Sequence, residues 1–250
     1  MIPWLLYVTR LSGDYRRFTR SEDALLDVSH EPVFIGEALG VIGVNGSGKS
    51  TFGKALMNML PYRSGEISFR ETDSVCARID GLKTHELSRY GIAMMPQGGS
   101  VFGNLTVREN IRIAFARNTN DSYMYREKLL SLIPLLSDPG KAHLMADRLS
   151  GGERQALSLA MTLACQPKLV ILDEPSAGLS PADVESTFGL LGMIKESFGT
   201  TIILIEQNIN RAVSFCDRVL VMEAGRVVFQ ARRGESSVKE IESIMFNGTV

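Results

Sequence analysis

Cysteine is scarce in this chain: Cys76, Cys165 and Cys216 are the only three, and they lie far apart. No CxxC spacing occurs, so neither a redox dithiol nor a cysteine-rich zinc site is encoded, and an odd number cannot pair completely. The expectation is three small buried thiols in a cytosolic protein. Long apolar runs are missing as well. The opening MIPWLLYVTR is stopped by Arg10 and lacks a small-residue cleavage site. No later window approaches the roughly 20 apolar residues of a membrane-spanning helix, so any membrane role calls for a partner. Neither sign of charge is in excess. Against 28 Asp and Glu stand 27 Lys and Arg, a net charge of -1, which gives no global electrostatic ground for binding nucleic acid or an anionic membrane.

What is present suffices for a large core, since 44% of the 250 residues are apolar. Trp4 to Ser12, Ala24 to Ile35 and Glu66 to Phe69 read as strands separated by turn residues, which suggests an antiparallel β layer early in the chain. From Ala38 onward the rhythm changes. The apolar runs ALGVIG, KLVILD, TIILIE and RVLVME alternate with helical stretches, the pattern of βα units around a parallel sheet. Between about Gly98 and Leu149 no buried strand is evident, while Arg108 to Ala116 and Met124 to Leu136 look helical. That segment reads as a helical insertion. The tail from Gly234 reads as polar residues followed by a short helix.

GVNGSGKST, Gly43 to Thr51, matches the P-loop pattern of a glycine, four residues, then Gly-Lys-Ser, and follows the strand ALGVI. A helix is expected from Ser50 to Leu60, stopping before Pro61. Gly43, Gly46 and Gly48 let backbone N–H groups curl around phosphate oxygens; Lys49 should reach the β- and γ-phosphates, and the Ser50 hydroxyl should ligate Mg²⁺. With Asn45, Ser47 and Thr51 these residues form the expected nucleotide loop. KLVILDEP then places Asp173 and Glu174 at the end of a second apolar run, where Asp173 can hold Mg²⁺ through a water and Glu174 can deprotonate an attacking water. Pro175 forbids continuation into the sheet. A guanine-specific reading would want an NKxD-like motif, and none is present.

LSGGERQ, Leu149 to Gln155, decides among P-loop proteins. Nearly letter for letter it resembles the signature of ATP-binding cassette (ABC) ATPases, and it precedes DEP as in that family. Its physics is readable independently: Ser150, Gly151, Gly152 and Glu153 open a helix whose N–H groups and dipole point outward, a second phosphate site on the same chain. The resemblance covers essentially the whole chain. It implies an α/β ABC ATPase fold in a single domain: 1–97 and 167–250 as the P-loop core with its parallel sheet and antiparallel β layer, 98–166 as the helical subdomain carrying the signature. It implies ATP hydrolysis with Mg²⁺, and a head-to-tail dimer in which each signature closes over the partner's P-loop. Gln97, in AMMPQ, looks like the family's Q-loop glutamine and Mg²⁺ contact. Tyr15 matches the aromatic that stacks on adenine, with Phe18 as the alternative. Ser180 stands in SAGLSPADV where most cassettes carry aspartate; it can cap the next helix with Pro181 in the first turn and Asp183 completing a near capping box.

Together with IEQN and the short insertion, that departure resembles cassettes of branched-chain amino-acid uptake systems and their urea and short-amide relatives. The implied function is the ATPase subunit of an importer, on the cytoplasmic face of a membrane, with integral permease subunits docking beside Gln97 and VFGNLTVREN and, indirectly, a substrate-binding protein. The alternative is a soluble cassette acting on nucleic acid or ribosomes. Chromosome-maintenance cassettes insert long coiled coils between P-loop and signature, whereas only about a hundred residues separate Lys49 from Gly151 here, without sustained heptads. No nucleic-acid partner is expected, since no basic stripe is visible. The strand TIILIE exits into Gln207 where most cassettes have a histidine. Gln207 is expected to contact the γ-phosphate as a hydrogen-bond donor, its amide being unable to take up charge; merely capping the following helix is the other role open to it.

Overall fold

Strand β1 (Trp4–Asp14) buries Leu6 and Val8, then changes phase and buries Leu11. The change falls at Arg10, whose φ of 52° makes a β-bulge, and the register with its neighbour slips between Thr9 and Ser12. Opposite the bulge stands Gly65, φ 102°, where a Cβ would lie 2.4 Å from the Arg10 carbonyl oxygen. The computed structural model describes residues 3–16, 24–72, 74–116 and 123–247, so Phe18 lies outside the described residues.

The remaining elements in chain order are β2 (Leu25–Val28), β3 (Val33–Phe34), β4 (Ala38–Ile42), α1 (Lys49–Leu56), β5 (Tyr62–Arg70), β6 (Cys76–Arg78), β7 (Ile92–Met95), α2 (Val107–Ala116), α3 (Tyr123–Leu132), α4 (Pro134–Ser137), α5 (Gly151–Leu163), β8 (Leu169–Asp173), α6 (Pro181–Phe198), β9 (Thr201–Glu206), α7 (Ile209–Phe215), β10 (Arg218–Glu223), β11 (Arg226–Arg232) and α8 (Val238–Asn247). They fall into two units, one made of residues 1–90 and 201–250, the other of residues 91–200.

In the first unit an antiparallel sheet runs β2-β1-β5-β6 with β3 also on β1. Beside it β10, β4 and β9 pair in parallel, and β11 adds antiparallel to β10. Every residue of β4 and β9 is buried, as strands covered on both faces must be. The start of β4 is pinned by charge: Arg218, itself buried, donates from Nε to Glu37 Oε1 at 2.8 Å, and the Ala38 N–H donates to Asp217 Oδ2 at 2.8 Å. In the second unit β7 and β8 pair in parallel, and helices α2 to α6 accompany them.

Several boundaries differ from the sequence expectations. The stretch Ala24 to Ile35 is two short strands rather than one, since residues 29–32, ending in Pro32, leave the sheet. The helix after the P-loop ends at Leu56, well before Pro61. Asn58 takes φ 55° and donates its amide to the carbonyls of Ile79 (2.6 Å) and Leu82 (2.9 Å), so a tertiary contact stops the helix first. Met124 to Leu136 is interrupted at Ile133, which is extended as the residue before Pro134 should be. Of the cysteines only Cys216 is buried; Cys76 is exposed on β6, a short strand at the end of its sheet.

His30 is buried against Phe52, with ring centroids 5.8 Å apart, and its Nε2 meets no partner among the described residues. Burial, with the Arg218 charge adding to it, lowers its pKa from 6.5 to about 4, against the opposing hydrogen bond to the Glu31 carbonyl. Between those values the unfolded chain binds the proton and the folded chain does not. Stability is therefore fully present above pH 6.5 and is lost as pH falls toward 4, by about 2 kcal/mol at pH 5. His30→Leu is expected to flatten that dependence in urea unfolding at pH 7.5 and 5; an unchanged slope would assign the acid sensitivity to another group.

Candidate nucleotide-binding and hydrolysis site

In the first unit β4 ends directly in the loop 43–48, and α1 begins at Lys49. Gly43 admits no side chain: a Cβ there would lie 2.4 Å from the Met222 carbonyl oxygen and 2.5 Å from Ser47 Oγ. Gly46 and Gly48 adopt φ of 78° and 96°, and a Cβ on Gly46 would meet nothing within 4 Å, so the loop is open at that point. Gly48 is the N-cap of α1 and contributes no side chain, and the first turn of the helix holds no acidic residue. An N-terminus left this way favours an anion. Lys49 is buried and donates from Nζ to the carbonyls of Gly43 (2.8 Å) and Val44 (2.9 Å), so the loop wraps around its own ammonium. Ser47 Oγ is buried without a partner among the described residues, a hydroxyl that a phosphate oxygen would satisfy. Asn45, Ser50 and Thr51 flank it on the loop and the first turn of α1.

Ile42 of β4 pairs with Glu206 of β9, so Gly43 and Gln207 leave the sheet side by side. The three polar residues at the end of β9 then take separate directions. Glu206 is buried and turns back to accept from the N–H groups of Gln207 (3.1 Å) and Asn208 (3.4 Å). Asn208 is the N-cap of α7, its side chain accepting from the Arg211 N–H. Gln207 is exposed, and the cap belongs to its neighbour. Tyr15 is exposed just beyond β1, with Lys54 Nζ of α1 5.5 Å from its ring centroid.

In the second unit the register Met95 to Leu172 brings the ends of β7 and β8 together. Consequently Gln97 Nε2 donates to Glu174 Oε2 at 2.7 Å. Asp173 and Glu174 are both buried, and Glu174 holds φ of 49°, an unusual backbone for a residue with a side chain. Gln155, on α5, donates from Nε2 to the Pro175 carbonyl at 2.7 Å. Ser158, on the same helix, accepts from the Ser100 N–H at 2.8 Å. Asn110 is fully buried and closes the segment 102–106, accepting from the Phe102 N–H and donating to the carbonyls of Phe102, Leu105 and Thr106. Gln155, Ser158 and Asn110 were not singled out from sequence. Gln155 stands inside LSGGERQ and Asn110 inside VFGNLTVREN; Gln155 meets a carbonyl twenty residues further on, and Asn110 folds back on the backbone four to eight residues before it.

The helix expected at LSGGERQ is α5. Ser150 caps it with a full capping box: Ser150 Oγ accepts from the Glu153 N–H (3.2 Å), and Glu153 Oε2 accepts from the Ser150 N–H (3.0 Å). The end is therefore less bare than the glycines suggest. Lys141 pairs with Glu153 and, with the Ser150 hydrogen bond, holds that carboxyl below its usual range. Gly152 has no room for a side chain, since a Cβ would lie 2.3 Å from Asp183 Oδ1 of α6. Helix α6 starts as expected, with Ser180 Oγ accepting from the Asp183 N–H and donating to Asp183 Oδ2 at 2.7 Å.

Residues 28–177 match the profile of the ABC transporter family. The chain belongs to that family. It is an ATP-hydrolysing ABC cassette of α/β fold. Among its relatives, the high-affinity branched-chain amino acid transport ATP-binding protein BraG of Pseudomonas aeruginosa is 38% identical over 206 residues, covering 82% of this chain and 84% of that protein. The probable branched-chain amino acid transport ATP-binding protein LivF of Archaeoglobus fulgidus is 32% identical over 234 residues, covering 92% and 93%. Of solved structures, cbiO1 from Clostridium perfringens, part of the cbiONQ transporter complex, matches with a TM-score of 0.76 at 26% identity over 96% of this cassette and 91% of that chain. A dimeric post-hydrolysis state of MJ0796 bound to ADP and Pi shares the fold, with a TM-score of 0.74 at 22% identity, covering 93% and 100%.

Proposed function

We propose that this cassette powers an importer of branched-chain amino acids or related small polar solutes. The observation that carries the reading is the match to BraG and LivF along nearly the whole chain. In this reading residues 1–97 and 167–250 form the nucleotide-binding core and 98–166 the helical subdomain. ATP lies on Gly43 to Thr51, its adenine against Tyr15. Lys49 releases the Gly43 and Val44 carbonyls to meet the β- and γ-phosphates. Ser50, Gln97 and Asp173 would hold Mg²⁺. Their hydroxyl, amide and carboxylate oxygens suit a hard cation, and among the described residues no group of three or more His, Cys, Asp or Glu side chains offers a metal site independent of substrate. When bound, Mg²⁺ neutralises charge on the phosphate oxygens. Glu174, aimed by Gln97, takes the proton of the attacking water, and Gln207 donates a hydrogen bond to the γ-phosphate.

Two cassettes close head to tail, Ser150, Gly151, Gly152 and Glu153 of each facing the partner's nucleotide. Permease subunits carry the solute, with the cassette at the cytoplasmic face and a substrate-binding protein supplying it; among the described residues no helix is long and apolar enough to cross a membrane. A docking surface for the permease is supported by an apolar patch in the second unit. Phe102, Leu144 and Met145 are all exposed, on segments tied by a Thr106 to Met145 bridge and by the Ala146 N–H donating to the Leu105 carbonyl at 2.9 Å. The test is affinity purification of the tagged full chain from detergent-solubilised membranes. Integral membrane proteins should co-purify, and Leu144→Asp with Met145→Asp should release them. Recovery with ribosomes alone would overturn the reading.

A further inference from the structure

Glu174 is held in a conformation that its own chemistry opposes. At φ 49° its Cβ is crowded by the backbone, and as the residue before Pro175 it has a further steric reason to leave that region. A backbone of this kind persists only where the surroundings over-determine it. Three contacts do so here. The Gln97 amide grips the carboxylate, the Ala177 N–H donates to the Glu174 carbonyl at 3.1 Å, and Gln155 Nε2 donates to the Pro175 carbonyl at 2.7 Å. The last comes from helix α5, and Gln155 is buried where water cannot replace it.

Helix α5 touches the other loop as well. One turn beyond Gln155, Ser158 accepts from the Ser100 N–H, and Gly99 lies so close that a Cβ would meet Ser158 Oγ at 2.9 Å. One face of α5 thus braces both the loop that carries Gln97 and the turn that carries Glu174. In the other direction Gln155 is four residues, about 6 Å, from Gly151 at the head of the same helix.

From this geometry we infer that Gln155 is a positioning residue for hydrolysis: its hydrogen bond to Pro175 fixes the backbone that aims Glu174 and couples that aim to the signature end of α5. The inference rests on Glu174 as the base. Gln155→Met keeps the length and apolar stem of the side chain and removes the donor. It should lower kcat of the full chain about 10- to 100-fold while leaving KM for ATP within about twofold, because Gln155 acts on Glu174 and not on the nucleotide. Gln155→Glu supplies a second readout. Only the protonated carboxyl can donate to Pro175, and burial raises its pKa, so the kcat of this variant relative to the parent should climb as pH falls from 8 to 6.

Glu174→Gln is measured alongside. Loss of hydrolysis in Glu174→Gln with a Gln155→Met kcat within twofold of the parent would overturn the positioning role alone. Hydrolysis surviving in Glu174→Gln would remove the base itself and overturn both readings. Should Gln155→Met fail to fold, the Gln155→Glu ratio decides: a rise on acidification supports the role, and a flat ratio overturns it.

Discussion

Glu174→Gln is expected to lower ATP hydrolysis by roughly 10²–10⁴ while ATP binding persists. The substitution keeps the shape of the side chain and leaves an amide oxygen to accept from Gln97 Nε2, so the 2.7 Å contact between them survives. What disappears is the ability to take a proton from water. Glu174 is buried, with Gln97 holding its carboxylate and the Ala177 N–H its backbone carbonyl, so the substitution leaves the turn in place. If hydrolysis is the step that reopens the closed pair of cassettes, the variant accumulates as an ATP-bound dimer. Phosphate release and gel filtration with ATP measure the two effects separately. Parental phosphate release would reject Glu174 as the base, and a monomer with ATP bound would reject closure between identical chains.

The sequence carries the parts of this cassette that depend on local pattern. The apolar runs ALGVI, LVILD and TIILIE became β4, β8 and β9, and their uniform burial explains why nothing alternates within them. The loop 43–48 was legible because it is built from backbone conformation, and glycine spacing reports backbone directly. The contacts that make the site a device were not legible. Gln155 and Asn110 are polar residues on helices, and sequence alone gives no reason to place them in the interior rather than in solvent; their partners are the Pro175 carbonyl and the 102–106 backbone. The left-handed backbone of Glu174 was equally hidden, since a residue before proline is expected in the extended region. Helix ends failed for the same reason: Asn58 stops α1 through carbonyls of Ile79 and Leu82, contacts no local window contains. At the exit of β9 a three-residue polar run concealed three different tasks. Register separated them, with Glu206 folded back, Asn208 capping α7 and Gln207 exposed beside the P-loop.

Lys49→Ala is expected to abolish both tight ATP binding and turnover. The Lys49 ammonium is buried at the centre of the loop and satisfied by the Gly43 and Val44 carbonyls, so it is a fixed charge already desolvated before nucleotide arrives. When phosphates enter, the same ammonium exchanges two neutral carbonyls for oxygens carrying negative charge, so attraction between opposite charges is added to hydrogen bonds it already makes. Alanine removes that gain and leaves the two carbonyls facing the cradle, where they repel the phosphate. The backbone geometry of Gly46 and Gly48 is untouched, so the loop still forms and the loss is electrostatic. Thermal unfolding with and without ATP isolates the binding effect, because a ligand that binds only the folded chain raises its stability by RT ln(1 + [ATP]/Kd). The parent should show a clear upward shift in Tm at millimolar ATP and Lys49→Ala almost none, each measured against its own Tm without nucleotide, which in the variant is lower by the loss of two hydrogen bonds, about 1–3 kcal/mol. A parental shift together with near-parental hydrolysis would refute the assignment of residues 43–51 as the phosphate site.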